Sequence, residues 1–153
     1  MQLTRFTDLG LRTMMLLAAA DSDGRRITTR TIAAGADASE NHIAKAVARL
    51  AELGMVHARR GRVGGLELTD AGRHASLGRL VRQLEGDAEV IDCTGGAQPC
   101  PLIPACRLRR VLAEAKEAFY RQLDGYTIDH LSGSALLPVI SLPLEIALER
   151  KPR

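Results

Sequence analysis

SENHIAKAVARLAELGMVHARRGRVGGLEL, Ser39 to Leu68, decides the fold. Its first half reads as an amphipathic helix. Ser39 is an N-cap residue, Ile43, Ala46, Val47, Leu50 and Leu53 recur at helical steps, and Gly54 ends the run. Glu40, Asn41, Ala44, Lys45 and Arg49 fall on the opposite, outward face. The second half reads as a hairpin, with Met55 to Ala58 as one strand, RRGRVGG (Arg59 to Gly65) as a basic turn and Leu66 to Leu68 as the return. Just upstream, Thr28 can cap a short helix with Ile32 and Ala33 inward, and Gly35 to Ala38 breaks it.

Two short helices joined by a tight turn, followed at once by a hairpin tipped with arginines, make a winged helix-turn-helix. The second helix suits the major groove. The wing's glycines let backbone lie close to phosphates, and its arginines neutralise them. The expected DNA-binding residues are Ser39, Glu40, Asn41, His42, Lys45 and Arg49 on the helix, with Arg59, Arg60, Arg62 and Gly64 on the wing. Over the whole chain the net charge is only +3, which argues nothing about partners. Between Arg25 and Arg62, however, eight Lys or Arg stand against three acids, a local surplus suited to phosphate binding.

Outward from this stretch, residues 3–20 read as a helix that is apolar all round from Met14 to Ala20, so its second half should be buried. Gly10 implies close packing against a neighbour. Arg5, Asp8 and Arg12 share the polar face, and Asp8 lies four residues from Arg12, the spacing of a surface ion pair. After the hairpin, Thr69 to Ala75 reads as a connector, and Ser76 caps a helix with Leu77, Leu80, Val81 and Leu84 on one face, stopped by Gly86. A long helix is expected from about Ala105 to Leu123, started by Pro104, with Leu108, Val111, Leu112, Ala115, Ala118 and Phe119 as its apolar stripe. Little chain remains to cover that stripe, which points to a homodimer. Tyr126 to Leu131 reads as one more turn, and the tail from Ser132 is broken by Pro138 and Pro143.

The expected fold class is therefore mainly α: a winged helix-turn-helix DNA-binding domain with a long C-terminal dimerisation helix. Its parts divide as 1–86 for DNA binding, 87–106 for a cysteine loop, 107–131 for the dimerisation helix region and 132–153 for a tail. No run of about eighteen apolar residues spans a membrane and no charged-then-apolar leader is present, so the expected location is the cytoplasm. His42, His57, His74 and His130 are scattered and form no catalytic constellation, so no enzyme is expected.

All three cysteines lie in CTGGAQPCPLIPAC, Cys93 to Cys106, spaced C-x6-C-x5-C among Gly95, Gly96, Pro99, Pro101 and Pro104. Such a loop cannot be one helix face or one strand. Soft thiolates in an irregular loop suit zinc or an iron-sulfur cluster, and redox-active thiols are the alternative. A structural zinc or a cubane cluster wants four ligands, and no histidine lies in the loop or in the helix just after it. A fourth donor must come from elsewhere in the chain or from a second chain.

LTRFTDLGLRTMMLLA at the N-terminus, the SENHIAKAVARL helix, the RRGRVGG wing, SLGRLVRQLEG and the cysteine triplet before a long helix together resemble the iron-sulfur winged-helix repressors, over about residues 1–130. Within that family the chain is most similar to the repressors that respond to nitric oxide. The resemblance implies a homodimer on palindromic double-stranded DNA, with one cluster per chain held by Cys93, Cys100 and Cys106. The implied cofactor is a 4Fe-4S cluster, with 2Fe-2S as the alternative, and the implied signal is nitric oxide. Related regulators of cluster homeostasis have a histidine shortly after the third cysteine, but here Cys106 is followed by Arg107, Leu108 and Arg109. The position matching the alternative fourth ligand, supplied by the partner chain, is Asp8. Three thiolates and a carboxylate around such a cluster leave a net anion, which Arg107, Arg109, Arg110 and the start of the following helix would compensate. Two other readings stay open: a regulator of iron-sulfur or redox homeostasis with a 2Fe-2S cluster, and a zinc-stabilised DNA-binding protein.

Overall fold

The computed structural model of the protein describes residues 2–22, 24–59, 64–86, 89–93 and 100–132. Its elements run α1 (Arg5–Ser22), α2 (Thr29–Gly35), α3 (Glu40–Glu52), β1 (Val56–Arg59), β2 (Gly65–Leu68), α4 (Asp70–Arg73), α5 (Leu77–Glu85), a 3-10 turn (Ile103–Ala105), α6 (Arg107–Leu123) and α7 (Ile128–Leu131). Among the described residues the fold is mainly helical with one two-stranded antiparallel sheet, as the sequence pattern indicates.

α1 is the centre of the molecule. It packs on α2, α3, α5, α7 and β2, and Met14 and Leu17 are fully buried beside Ile32, Ile43, Leu50 and Leu80. Gly10 has the close neighbour its position implies: a Cβ there would lie 2.9 Å from Leu84 Cδ1 of α5. The start of α1 is tied to the end of α5, because Glu85 accepts from the Thr4 backbone N–H (2.8 Å) and from the Thr4 hydroxyl (2.9 Å). Arg5 reaches the other way, to the Asp37 carbonyl at 3.5 Å.

Local caps define the helix-turn-helix. The Thr28 hydroxyl accepts from the Thr31 N–H and the Ser39 hydroxyl from the His42 N–H, each satisfying an orphan donor of a first turn. The turn between the helices pivots on Asp37 at φ 50° rather than on Gly35, which is the last residue of α2. Aspartate is one of the few side chains that tolerate this left-handed conformation. The hairpin pairs Val56 with Leu68 through Arg59 with Gly65, and the Leu66 N–H donates to the Ile27 carbonyl (2.8 Å), which docks the sheet on the segment before α2. The wing tip, with Arg60 and Arg62, lies outside the described residues.

The stretch 69–75 is more than a connector. Thr69 caps the single-turn α4, and Gly72 sits against the Met55 carbonyl with no room for a Cβ. α5 and α6 then pack side by side. Arg82 binds Asp124 and Glu117, stacks over the Tyr120 ring at 4.9 Å, and so joins the two helices along one edge. The expected stripe of α6 divides in two. Phe119 packs against the core and Leu112 is half-buried, whereas Leu108 and Val111 are 59% and 53% exposed, with Ala115 and Ala118 continuing the outer seam. The helix is rotated so that Tyr120, the one buried residue of α6, fills the seat on α5.

Candidate DNA-binding face and cysteine site

On α3 the buried residues are Ile43, Ala46, Val47 and Leu50, which leaves Glu40, Asn41, His42, Ala44, Lys45 and Ala48 exposed and Arg49 half-buried. Asn41, Lys45 and Ala48 follow at steps of four and three, so they form one outward line. Among the described residues Lys45 has no ion-pair partner, whereas Arg49 is held by Glu52 at 3.0 Å. Ser39 and His42 are engaged with each other (Oγ to Nδ1, 2.9 Å) as part of the helix cap, and Glu40 faces Arg30 at 3.9 Å. Arg30, 82% exposed on α2, is a cation beside the reading helix that periodicity alone did not nominate. Arg59 leaves the strand exposed, 3.4 Å from Glu67 on the paired strand, and Gly64 is half-buried where the chain re-enters the sheet. Asn41, Lys45, Arg30 and Arg59 thus give an exposed polar and basic face, with the core holding α3 from behind.

All three cysteines are free thiols; Cys93 is buried, and Cys100 and Cys106 are half-buried. Backbone bonds fold the segment back on itself: the Cys100 N–H donates to the Cys93 carbonyl (3.0 Å) and the Ile103 N–H to the Cys100 carbonyl (3.2 Å). The 3-10 turn then sets Cys106 at the N-cap of α6, with no side-chain cap bond of its own. The unpaired N–H groups of that first turn present partial positive charge there. Burial pushes the Cys93 thiol above its ordinary range; the nearby charges of Glu89, Cys100 and Cys106 act in the same direction, and Arg109 opposes them.

Of the three arginines after Cys106, Arg109 is the one bonded to Glu89 ahead of the cysteine segment. Its Nε donates to Glu89 Oε2 (2.9 Å), its Nη2 contacts Glu89 Oε1, and its charge is felt by Cys93 and Cys106. Arg110 is turned to Glu114 at 3.6 Å, and Arg107 is exposed. Arg109, Cys106, Glu89, Val90, Leu112 and Tyr120 line part of a groove of ≈ 580 Å³ beside α6. Glu89 was not singled out from the sequence, although acids before the loop and arginines after it are a complementary pattern.

Asp8 is half-buried on α1 and accepts from Arg12 Nε at 2.8 Å, the i,i+4 pair its spacing allows. No described contact joins it to the cysteines of the same chain. Nor do any three His, Cys, Asp or Glu side chains among the described residues converge to hold a metal ion. Residues 94–99, the span between two of the thiols, lie outside the described residues. In its donor chemistry the segment fits an iron-sulfur cluster: it carries three free soft thiols, with a helix start and the Arg109 cation beside Cys106.

The sequence profile of the Rrf2 family, described as an iron-dependent transcriptional regulator, matches residues 3–134. The chain belongs to the Rrf2 family. It is 52% identical over 140 residues to the HTH-type transcriptional repressor NsrR of Streptomyces coelicolor, covering 92% of this chain and 94% of that one. It is 39% identical over 132 residues to the HTH-type transcriptional regulator NsrR of Geobacillus kaustophilus, covering 86% and 89%. Among solved structures, the oxidised form of Staphylococcus aureus CymR superposes with a TM-score of 0.63 at 26% identity, over 86% of this chain and 96% of that one. IscR of T. potens does so with a TM-score of 0.65 at 23% identity, over 86% of both chains, and establishes the shared fold. This Rrf2 protein is a DNA-binding transcriptional repressor, not an enzyme. No described helix is long and apolar enough to cross a membrane.

Proposed function

We propose that the chain is a homodimeric repressor that holds an iron-sulfur cluster on Cys93, Cys100 and Cys106 and leaves its palindromic operator when nitric oxide reacts with that cluster. The observation that carries the reading is the set of three free thiols in one segment that folds back on itself just before α6, in a chain 52% identical to a repressor named NsrR. A 4Fe-4S cluster, the preferred type over 2Fe-2S, would supply an iron centre reactive toward nitric oxide.

The rest is the work of the chain's own residues. Asn41 and Lys45 reach base edges in the major groove, and Arg59, with Arg60, Arg62 and Gly64, follows the flanking backbone or minor groove. Ser39, Glu40, His42 and Arg49 cap or brace the reading helix at the same face. The exposed seam of Leu108, Val111, Ala115 and Ala118 on α6 meets its copy and sets the half-site spacing. Asp8 exchanges Arg12 for the partner chain's cysteine site as the fourth ligand. Because α1 packs on α3, a carboxylate held there fixes the reading helix relative to the dimer helix.

The test is anaerobic purification, followed by absorption spectra and gel shifts on operator DNA before and after nitric oxide. A brown dimer that releases DNA on treatment supports the reading, as does loss of visible absorbance in each Cys to Ala variant. A colourless protein, or an Asp8→Ala variant with the parent's spectrum and the parent's nitric oxide response, overturns it or its Asp8 step respectively.

A further inference from the structure

We propose that Arg109, held in place by Glu89, is the positioning residue of the cysteine site: the pair closes the mouth of the loop and keeps a cation at the thiols. The proposal rests on the cluster reading above but concerns a contact that exists in the chain without the cluster.

Glu89 lies four residues before Cys93, and Arg109 three residues after Cys106, so their bond joins the two ends of the segment that contains every cysteine. Two guanidinium nitrogens each meet one carboxylate oxygen, Nε with Oε2 and Nη2 with Oε1, the two-point geometry that fixes orientation as well as distance. Inside this clasp, among the described residues, the Cys100 N–H donates to the Cys93 carbonyl and so ties the loop across. The pair is a little under half exposed, so solvent screens it and it adds little to global stability. Its effect is local. Joining the two ends of a chain segment removes part of its conformational freedom before any ligand binds. Arg109 also lines the same groove as Cys106 and so leaves its charge where the bound site would be anionic. Arg110 lines the groove as well but pairs with Glu114, and Arg107 is exposed, so among the described residues neither makes the clasp to Glu89.

Three variants of the full chain separate these roles. Arg109→Gln removes both clasp and charge, Arg109→Lys keeps the charge but loses the two-point contact, and Glu89→Gln removes the carboxylate. Iron release from anaerobically purified protein to a strong ferrous chelator should be about tenfold faster in Arg109→Gln, the scale typical of lost outer-shell partners. Arg109→Lys should fall between this variant and the parent. In the metal-free chain, hydrogen exchange at the Cys100 amide should accelerate severalfold in Arg109→Gln and Glu89→Gln alike, with little change in Tm. Parent-like iron release or parent-like Cys100 exchange in Arg109→Gln overturns the proposal. A parent protein that purifies without iron refutes the cluster reading instead, and the exchange measurement still decides the clasp.

Discussion

Replacing Gly78 by alanine should loosen the seat between α5 and α6. A Cβ at position 78 would lie 2.9 Å from Asp124 Cγ, and closer still to Asp124 Oδ1 and the Tyr120 carbonyl oxygen. Ordinary carbon contacts begin at about 3.5 Å, so α6 must retreat by roughly half an ångström or more. The Tyr120 oxygen is helix backbone, already accepting from the Asp124 N–H at 3.0 Å, and cannot rotate aside as a leucine methyl can. Overpacking of this kind costs about 1–3 kcal/mol. Alanine returns about 1 kcal/mol of helix propensity over glycine. The rigid obstacle places the steric cost in its upper range, so the net loss should be about 1–2 kcal/mol. For a chain of this size that corresponds to a Tm lower by roughly 2–8 °C. Calorimetry or urea unfolding of the full chain measures it, with Gly125→Ala as the comparison, because a Cβ at Gly125 meets nothing within 4 Å. That variant should be neutral or slightly stabilising. A Gly78→Ala protein as stable as its parent would refute the close crossing of α5 and α6.

Glu85 gives a pH-dependent expectation. Burial raises its pKa, but the hydrogen bonds from Thr7 and Thr4 and the charge of Lys116 outweigh burial and hold it below the ordinary glutamate range. A depressed carboxylate contributes stability that is fully present above its unfolded pKa of about 4.3 and lost as pH falls through the lower folded value. Glu85→Gln should therefore be less stable than the parent at pH 7, with the gap closing in the acid range; a gap constant down to pH 3 would rule the contact out. On the DNA face, Lys45→Ala should weaken operator binding by about 1–3 kcal/mol if it reads a base edge. Arg49→Ala should matter less, because Arg49 is half-buried and paired to Glu52. Gel shifts at several salt concentrations check the order, and a larger effect at Arg49 would reverse the assignment of the reading line.

What the sequence determined by itself was local. Thr28, Ser39 and Ser76 each cap the helix that their spacing marked, Gly54 and Gly86 lie just past the ends they were assigned, and the α3 core residues are those of its apolar period. These signals are short-range: a cap bonds three residues on, and a helix face repeats every three or four. The ion pair of Asp8 with Arg12 belongs to the same class.

Tertiary structure decided what lies between distant segments. Glu85 reaches Thr4 across 81 positions, Arg82 reaches Asp124 across 42, and Arg109 reaches Glu89 across 20. No periodicity encodes such partners, because they depend on how α1, α5 and α6 pack and on which way α6 is rotated. That rotation divided a single apparent stripe into Phe119 against the core, Leu112 half-buried, and Leu108 and Val111 outside. It also chose Arg109 from three neighbouring arginines to meet Glu89 beside the cysteine segment. The spacing of the thiols could be read in the chain, but the cation that stands beside them is placed by packing, since a helix turns its side chains by about 100° per residue and only the seat of Tyr120 on α5 fixes where that turn begins.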